Sequence, residues 1–173
     1  MITSDAQIKQ SDRVLEIGTG WGSFAIEAVR QTGCTVTNVT LSVEQEEEAE
    51  RRINSAGFSE NIKVLLLDYR EISAEENQFD RVVSIEMMEH VGRENFTTYF
   101  KGISKLLHKK RGIAVLQTST MPDSVCNSPR TSEDLSRLKA GFKTKTLGVV
   151  MFTVGRERNT EMLRDCMKVP EWE

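Results

Sequence analysis

The chain has 173 residues, which suits one compact domain. With 38% hydrophobic and 28% charged residues and only 3 prolines it is an ordinary water-compatible globule, not a disordered tail, a collagen or a low-complexity scaffold. Its 23 Lys+Arg against 26 Asp+Glu leave a net charge of −3, so no global positive field exists to hold nucleic acid, and membrane contact is expected to be peripheral at most.

In chain order, the N-terminal stretch MITSDAQIKQSDR is polar and lacks the apolar run of a signal peptide. Arg13 to Ile17 is a short apolar run, predicted as a strand. Gly18-Thr19-Gly20-Trp21-Gly22 stops it, and Ser23 to Gln31 carries Phe24, Ala25, Ala28 and Val29 at helical spacing. Cys34 to Leu41 is rich in β-branched residues and reads as a second strand. Ser42 with Gln45 three places on forms a capping-box pattern opening a helix over Val43 to Ala56, with Gly57 where a C-terminal cap belongs. Glu47 and Glu48 stand four before Arg51 and Arg52, which reads as a solvated face.

Ile62 to Leu67 and Arg81 to Ile85 are apolar runs typical of strands buried on both sides, ending in Asp68 and Glu86. Between Arg93 and His108, Phe96, Tyr99, Phe100, Ile103 and Leu107 trace one helical stripe, closed by Lys109-Lys110-Arg111-Gly112. Gly112 to Gln117 supplies a fifth strand. After Pro122 the pattern weakens to a polar loop or helix, then a strand over Thr146 to Val154 and a helix over Arg156 to Met167. Strands alternating with helices imply a mainly parallel sheet with helices on both faces and ligands at the carboxyl ends of the strands. The apolar runs are too short to span a bilayer. Cys34, Cys126 and Cys166 are odd in number and widely spaced, against a disulfide framework or paired zinc ligands; reduced thiols, no metal site and a cytoplasmic location are expected.

Three glycines between a strand and a helix let a ligand approach the backbone closely. A dinucleotide site wants G-x-G-x-x-G and an acid about 20 positions further on. Here the spacing is G-x-G-x-G, and Val39-Thr40-Leu41 stands where the acid belongs, so an NAD-dependent oxidoreductase is disfavoured. Glu16, Asp68 and Glu86 instead form an acidic rim at strand ends, which suits a ligand with a positive centre and no phosphate. S-adenosylmethionine, with its sulfonium and amino groups, has that character.

The stretches VLEIGTGWGSFAIEAV, VTNVTLSVEQ, LLLDYREI and FDRVVSIEMMEHVGRENFTTYF resemble the cyclopropane-fatty-acyl-phospholipid synthase (mycolic acid cyclopropane synthase-like) family of S-adenosylmethionine-dependent methyltransferases, over roughly Gln7 to Pro122. The resemblance implies an α/β class I methyltransferase Rossmann-like fold. It implies that Glu16, Gly18, Gly20 and Gly22 lie about the methionine part of the cofactor. Within Thr40, Leu41, Ser42 and Gln45, it implies that Thr40 and Gln45 bond the ribose. Asp68 and Tyr69 would flank the adenine, and Ile85 and Glu86 would close the floor near the sulfur. Read without it, Gln45 is equally a capping residue, Tyr69 equally a surface aromatic, and Trp21 is expected to pack beneath the first helix.

For catalysis the resemblance implies Glu89 and His90, the family's E-H pair, and Gln117, which stands where many bacterial members carry a histidine near a bound bicarbonate. The acceptor it implies is a lipid alkene, which methylation and proton loss would close to a cyclopropane; another small hydrophobic acceptor methylated on N or C, or a catalytically inactive cofactor-binding fragment, stays open. Read from the residues, His90 is a loop or helix-start residue satisfied by backbone before it is a general base, and glutamine cannot shuttle a proton near neutral pH. Residues 1–122 are accordingly expected to form the cofactor-binding methyltransferase domain and 123–173 a divergent or truncated extension, without the family's N-terminal lid and part of its C-terminal region. The acceptor and the oligomeric state are not legible in the sequence.

Overall fold

A computed structural model describes residues 2–73, 78–119 and 147–153. Six strands form one sheet in the order β3-β2-β1-β4-β5-β6: β1 (Arg13–Ile17), β2 (Thr35–Thr40), β3 (Ile62–Leu66), β4 (Arg81–Ile85), β5 (Ile113–Ser119) and β6 (Leu147–Thr153). The first five are parallel, and β6 runs antiparallel along β5 from Ile113↔Thr153 to Ser119↔Leu147. The expected strand beyond residue 122 therefore extends the sheet that carries the glycine turn. The chain order reverses between β1 and β4, where an open parallel sheet forms its crevice.

Alternation along the strands sends apolar side chains to both faces. Val14, Val36, Val64, Val83 and Val115 pack with Ala25, Ala28 and Val29 of α2 (Ser23–Thr32) and Ala49 and Ile53 of α3 (Val43–Ala56). Leu15, Ile17, Val39, Val82 and Leu116 pack on the other face with Tyr99, Ile103 and Leu106 of α5 (Phe96–Leu106). The aromatic stripe is thus core, and the helix expected from Arg93 begins at Phe96, after a short α4 (Met88–Val91) and a 3-10 turn at Arg93–Asn95. Gly112 does not cap α5, which ends on Leu107; a Cβ on Gly112 would lie 2.7 Å from the His108 carbonyl, so the glycine serves the tight turn into β5.

A four-residue helix, α1 (Ile2–Asp5), precedes β1 where the polar N-terminal sequence predicts none. It is fastened from afar. The buried Arg81 guanidinium donates to the carbonyls of Ala6 (2.6 Å), Gln7 (3.1 Å) and Asp80 (2.7 Å) and pairs with Asp12 at 3.2 Å. Cys34 is a buried free thiol; Cys126, Cys166 and the helix expected over Arg156 to Met167 lie outside the described residues. Among the described residues no helix is long and apolar enough to cross a membrane, and no group of three or more His, Cys, Asp or Glu is placed to hold a metal ion.

Candidate functional site

A cleft of about 690 Å³ opens at the carboxyl ends of the strands, within the usual range of ligand sites. It gathers Gly18, Gly20, Thr40, Leu41, Ser42, Gln45, Asp68, Tyr69, Ile85, Glu86 and His90 of the sequence-derived set. Glu16, Gly22, Glu89 and Gln117 are not among its lining residues. A larger depression, about 990 Å³, lies along α3 and the β3 edge and contains none of them.

Backbone conformation explains the glycines. Gly18, Gly20 and Gly22 have φ of 89°, 51° and 72°, in the left-handed region that side chains resist. A Cβ on Gly20 would meet nothing within 4 Å, whereas one on Gly22 would come within 3.3 Å of the Ala49 Cβ. Gly20 therefore keeps the turn open to the cleft, and Gly22 lets α2 approach α3. The Ile17–Gly18 peptide is held from both sides: its N–H donates to the Val39 carbonyl at 3.0 Å, and its carbonyl accepts from the Ser84 hydroxyl at 3.0 Å. Trp21 does not pack beneath α2. It is 54% exposed, and its carbonyl accepts from Arg52, while Arg51 pairs with Glu48 on the acidic face of α3.

At the start of α3, Ser42 caps the helix by accepting from the Gln45 amide at 3.2 Å. The reciprocal half of the capping box is not made. Gln45 Oε1 instead accepts from the Thr40 hydroxyl at 2.7 Å, and Thr40 in turn accepts from the Ser42 amide at 3.2 Å. Two side chains able to bond a diol are thereby tied together on the cleft wall. Opposite, Asp68 is engaged by Arg70, which donates from its backbone (2.9 Å) and from its guanidinium (2.9 and 2.5 Å). These hydrogen bonds hold the Asp68 carboxyl below the usual carboxylate range. Tyr69 stands edge-on to Tyr99, with ring centroids 5.7 Å apart.

Glu86, at the end of β4, is a non-glycine residue with φ of 51°, and its backbone N–H donates to the Gln117 carbonyl at 2.8 Å. Such a conformation costs on the order of 1–3 kcal/mol, and it places an exposed carboxylate on the cleft floor. Glu89 accepts from the Thr118 hydroxyl of β5 at 2.7 Å, and the His90 amide bonds the Met87 carbonyl within the turn that opens α4. Gln117 sits on β5 paired with Ile85 and Val149.

Glu16 is 2% exposed, on the α2/α3 face of β1, paired with Asn38 of β2. Its Oε2, the Thr19 hydroxyl and both Asn38 side-chain polar atoms are buried without a hydrogen-bond partner. Burial pushes the Glu16 carboxyl well above the ordinary range, against a smaller opposing pull from Asn38. A raised carboxyl keeps its proton in the folded state where the unfolded chain has ionised, so stability falls as pH rises from about 4.5 toward the folded value. Glu16→Gln is expected to flatten that decline. The check is the difference in urea midpoint between the two proteins from pH 4.5 to 8; parallel curves would contradict a buried neutral carboxyl.

Sequence reasoning missed Met87, Arg70, Val91, Asn95 and Thr98, which also line the cleft. The last two share one face at the start of α5, three residues apart, a spacing visible in the sequence once the helix start is known.

A family model for mycolic acid cyclopropane synthetase matches residues 1–172. The chain belongs to that family. The match continues some fifty residues past Pro122, where the resemblance read from the sequence stops. This family member is 41% identical over 117 residues to a tuberculostearic acid methyltransferase of Mycobacterium tuberculosis, covering 68% of this chain and 26% of that protein. It is 40% identical over 118 residues to cyclopropane-fatty-acyl-phospholipid synthase of Escherichia coli, covering 68% of this chain and 29% of that protein. The aligned part is thus between a quarter and a third of these relatives.

Among solved structures, coclaurine N-methyltransferase bound to N-methylheliamine and S-adenosylhomocysteine superposes with a TM-score of 0.60 at 29% identity, over 66% of this chain and 33% of that one. A cyclopropane synthase of Mycobacterium tuberculosis gives 0.66 at 24% identity, over 79% and 48%, a likeness of fold. The fold is that of the class I methyltransferases.

Proposed function

We propose that the chain binds S-adenosylmethionine in the cleft above β1 and β4 and transfers its methyl group to a lipid alkene. The observation that carries the reading is the convergence on one cleft of an open left-handed glycine turn, the tied Thr40–Gln45 pair and the Tyr69 ring. The residues fit the cofactor. Gly18 and Gly20 admit its methionine part to bare backbone. The unpartnered buried Oε2 of Glu16 offers charge or a hydrogen bond to the amino group beneath the turn. Thr40 and Gln45 would bond the ribose hydroxyls, with Leu41 and Ser42 shaping that wall, and Tyr69 with Asp68 would flank the adenine. Gly22 acts one step removed, by setting how closely α2 meets α3.

When bound, the cofactor supplies an electrophilic methyl group on sulfur. The protein's part is to hold the acceptor in line with it and to exclude water, which Ile85, Met87 and Val91 serve by their apolar surface. Glu86 on the cleft floor would stabilise positive charge developing on the acceptor, with His90 at the cleft edge and Glu89, bonded to Thr118 outside the lining, adding its charge from further off. Methylation of an alkene leaves a carbocation that must lose a proton to close a cyclopropane; the resemblance assigns that base to bicarbonate, but Glu89 and Gln117, the residues it would lie beside, are not among the residues lining the cleft. A second reading, an amine acceptor, is favoured by the exposed Glu86 carboxylate and by the N-methyltransferase among the structural relatives. In this reading residues 1–122 carry the cofactor site, and 123–173 add β6 to its sheet.

Calorimetry with S-adenosylmethionine, S-adenosylhomocysteine and NAD tests the cofactor. Binding of the two adenosyl compounds but not NAD is expected; binding of NAD alone would overturn the reading. Transfer of a labelled methyl group into extracted lipids or into amines then separates the acceptors, and binding without transfer to either would favour a non-catalytic domain.

A further inference from the structure

Behind the cleft lies a buried hydroxyl chain that the proposed chemistry does not use. Tyr99, on α5, is fully buried, and its hydroxyl donates to Ser84 Oγ of β4 at 2.8 Å. Ser84, 2% exposed, donates in turn to the Ile17 carbonyl at 3.0 Å. Burial pushes the Tyr99 phenol up to about 12, so it stays protonated and can only orient the Ser84 proton toward Ile17. The chain ends on the peptide that opens the glycine turn, the one whose N–H is already fixed by Val39. The same Tyr99 ring supports the far wall. Tyr69 stands edge-on to it, and fits because residue 102 is glycine: a Cβ there would lie 3.0 Å from the Tyr69 ring.

We propose that Tyr99 and Ser84 are positioning residues for cofactor binding, a buried strut from α5 through β4 that fixes the Ile17–Gly18 peptide while the Tyr99 ring seats Tyr69 across the cleft. The proposal rests on the cofactor reading above. The strut joins the two walls that the cofactor must touch at once, its methionine end at Gly18 and its adenine end at Tyr69. A peptide held at both ends cannot turn its carbonyl into the cleft, so the turn presents one geometry before the ligand arrives and less freedom is lost on binding.

The test is Tyr99→Phe, which keeps the ring and its contact with Tyr69 but removes the hydroxyl, with Ser84→Ala as the second variant should the first fail to fold. Each is expected to weaken S-adenosylhomocysteine binding by roughly five- to tenfold, the scale of one lost buried hydrogen bond. The double variant should lose little more than either single one, because the two hydroxyls act in series. A merely structural role would shift the thermal midpoint and leave the dissociation constant of the folded protein unchanged. Trp21, exposed beside the turn, supplies a second readout: its emission without ligand should change in both variants if the turn is released. Unchanged affinity and emission in folded Tyr99→Phe or Ser84→Ala would overturn the strut while wild-type binding stands. No binding by the wild type would overturn the cofactor reading and the strut with it.

Discussion

Replacing Arg81 with methionine is expected to lower the unfolding free energy by about 3–5 kcal/mol, a large share of the roughly 5–15 kcal/mol a domain possesses. Arg81 is 5% exposed at the start of β4, and its guanidinium bonds the carbonyls of Ala6, Gln7 and Asp80 besides the Asp12 carboxylate. Methionine fills much the same volume but strands the buried Asp12 charge and removes the guanidinium donor from the Ala6 and Gln7 carbonyls, while the Asp80 carbonyl keeps the Ile113 amide. Asp12 retains one donor, the Lys9 amide at 2.9 Å, which cannot balance a full charge. The double variant Arg81→Met/Asp12→Asn should recover part of the loss, since the unpaired charge is then gone. Urea unfolding of the three variants checks this. A single-variant loss below about 1 kcal/mol would mean that the N-terminal segment is not fastened through this residue.

That fastening marks where sequence reading stopped. Arg13–Ile17 and Val43–Ala56 were legible to the residue, because an apolar run met a glycine turn in one case and Ser42 and Gly57 bounded the other. α1 was not, since nothing local distinguishes its polar residues; Ala6 and Gln7 owe their place to a side chain more than seventy residues away. The cleft shows the same division. Gly18 and Gly20 follow from motif spacing, Thr40, Gln45 and Tyr69 from the family resemblance, and the structure brings all five together around one cleft. Four other features were not read from the sequence. The left-handed backbone at Glu86 and the outward pose of Trp21 depend on residues distant in the chain, whereas the turn of Gln45 toward Thr40 and the grip of Arg70 on Asp68 are local choices among several hydrogen-bond partners. Glu16 illustrates the cost of reading charge from composition. The sequence places it on an acidic rim, whereas burial beneath the turn favours its neutral form until a cation or a donor reaches it.

Gly18→Val is expected to reduce S-adenosylmethionine affinity more than a hundredfold, in a protein that still folds. At φ of 89° a β-branched residue is strained by roughly 1–3 kcal/mol, and relief requires rotating the peptide that Val39 and Ser84 hold. A Cβ there would itself stand in ordinary contact with Met87, at 3.7–3.9 Å, so the backbone strain and not a clash of that atom carries the effect. Two controls separate strain from obstruction. Gly57→Ala carries φ of 77° with open space around its Cβ at the far end of α3, and should cost about 1–2 kcal/mol of stability with affinity untouched. Gly20→Ala, with φ of 51° and the same open space but inside the cleft, should cost a similar amount of stability and weaken binding, because its methyl group stands where the ligand approaches. Calorimetry on all three beside their thermal midpoints gives the answer. If Gly20→Ala and Gly57→Ala bound the cofactor alike, the turn would be a packing device between β1 and α2, and the cleft above it would need another ligand.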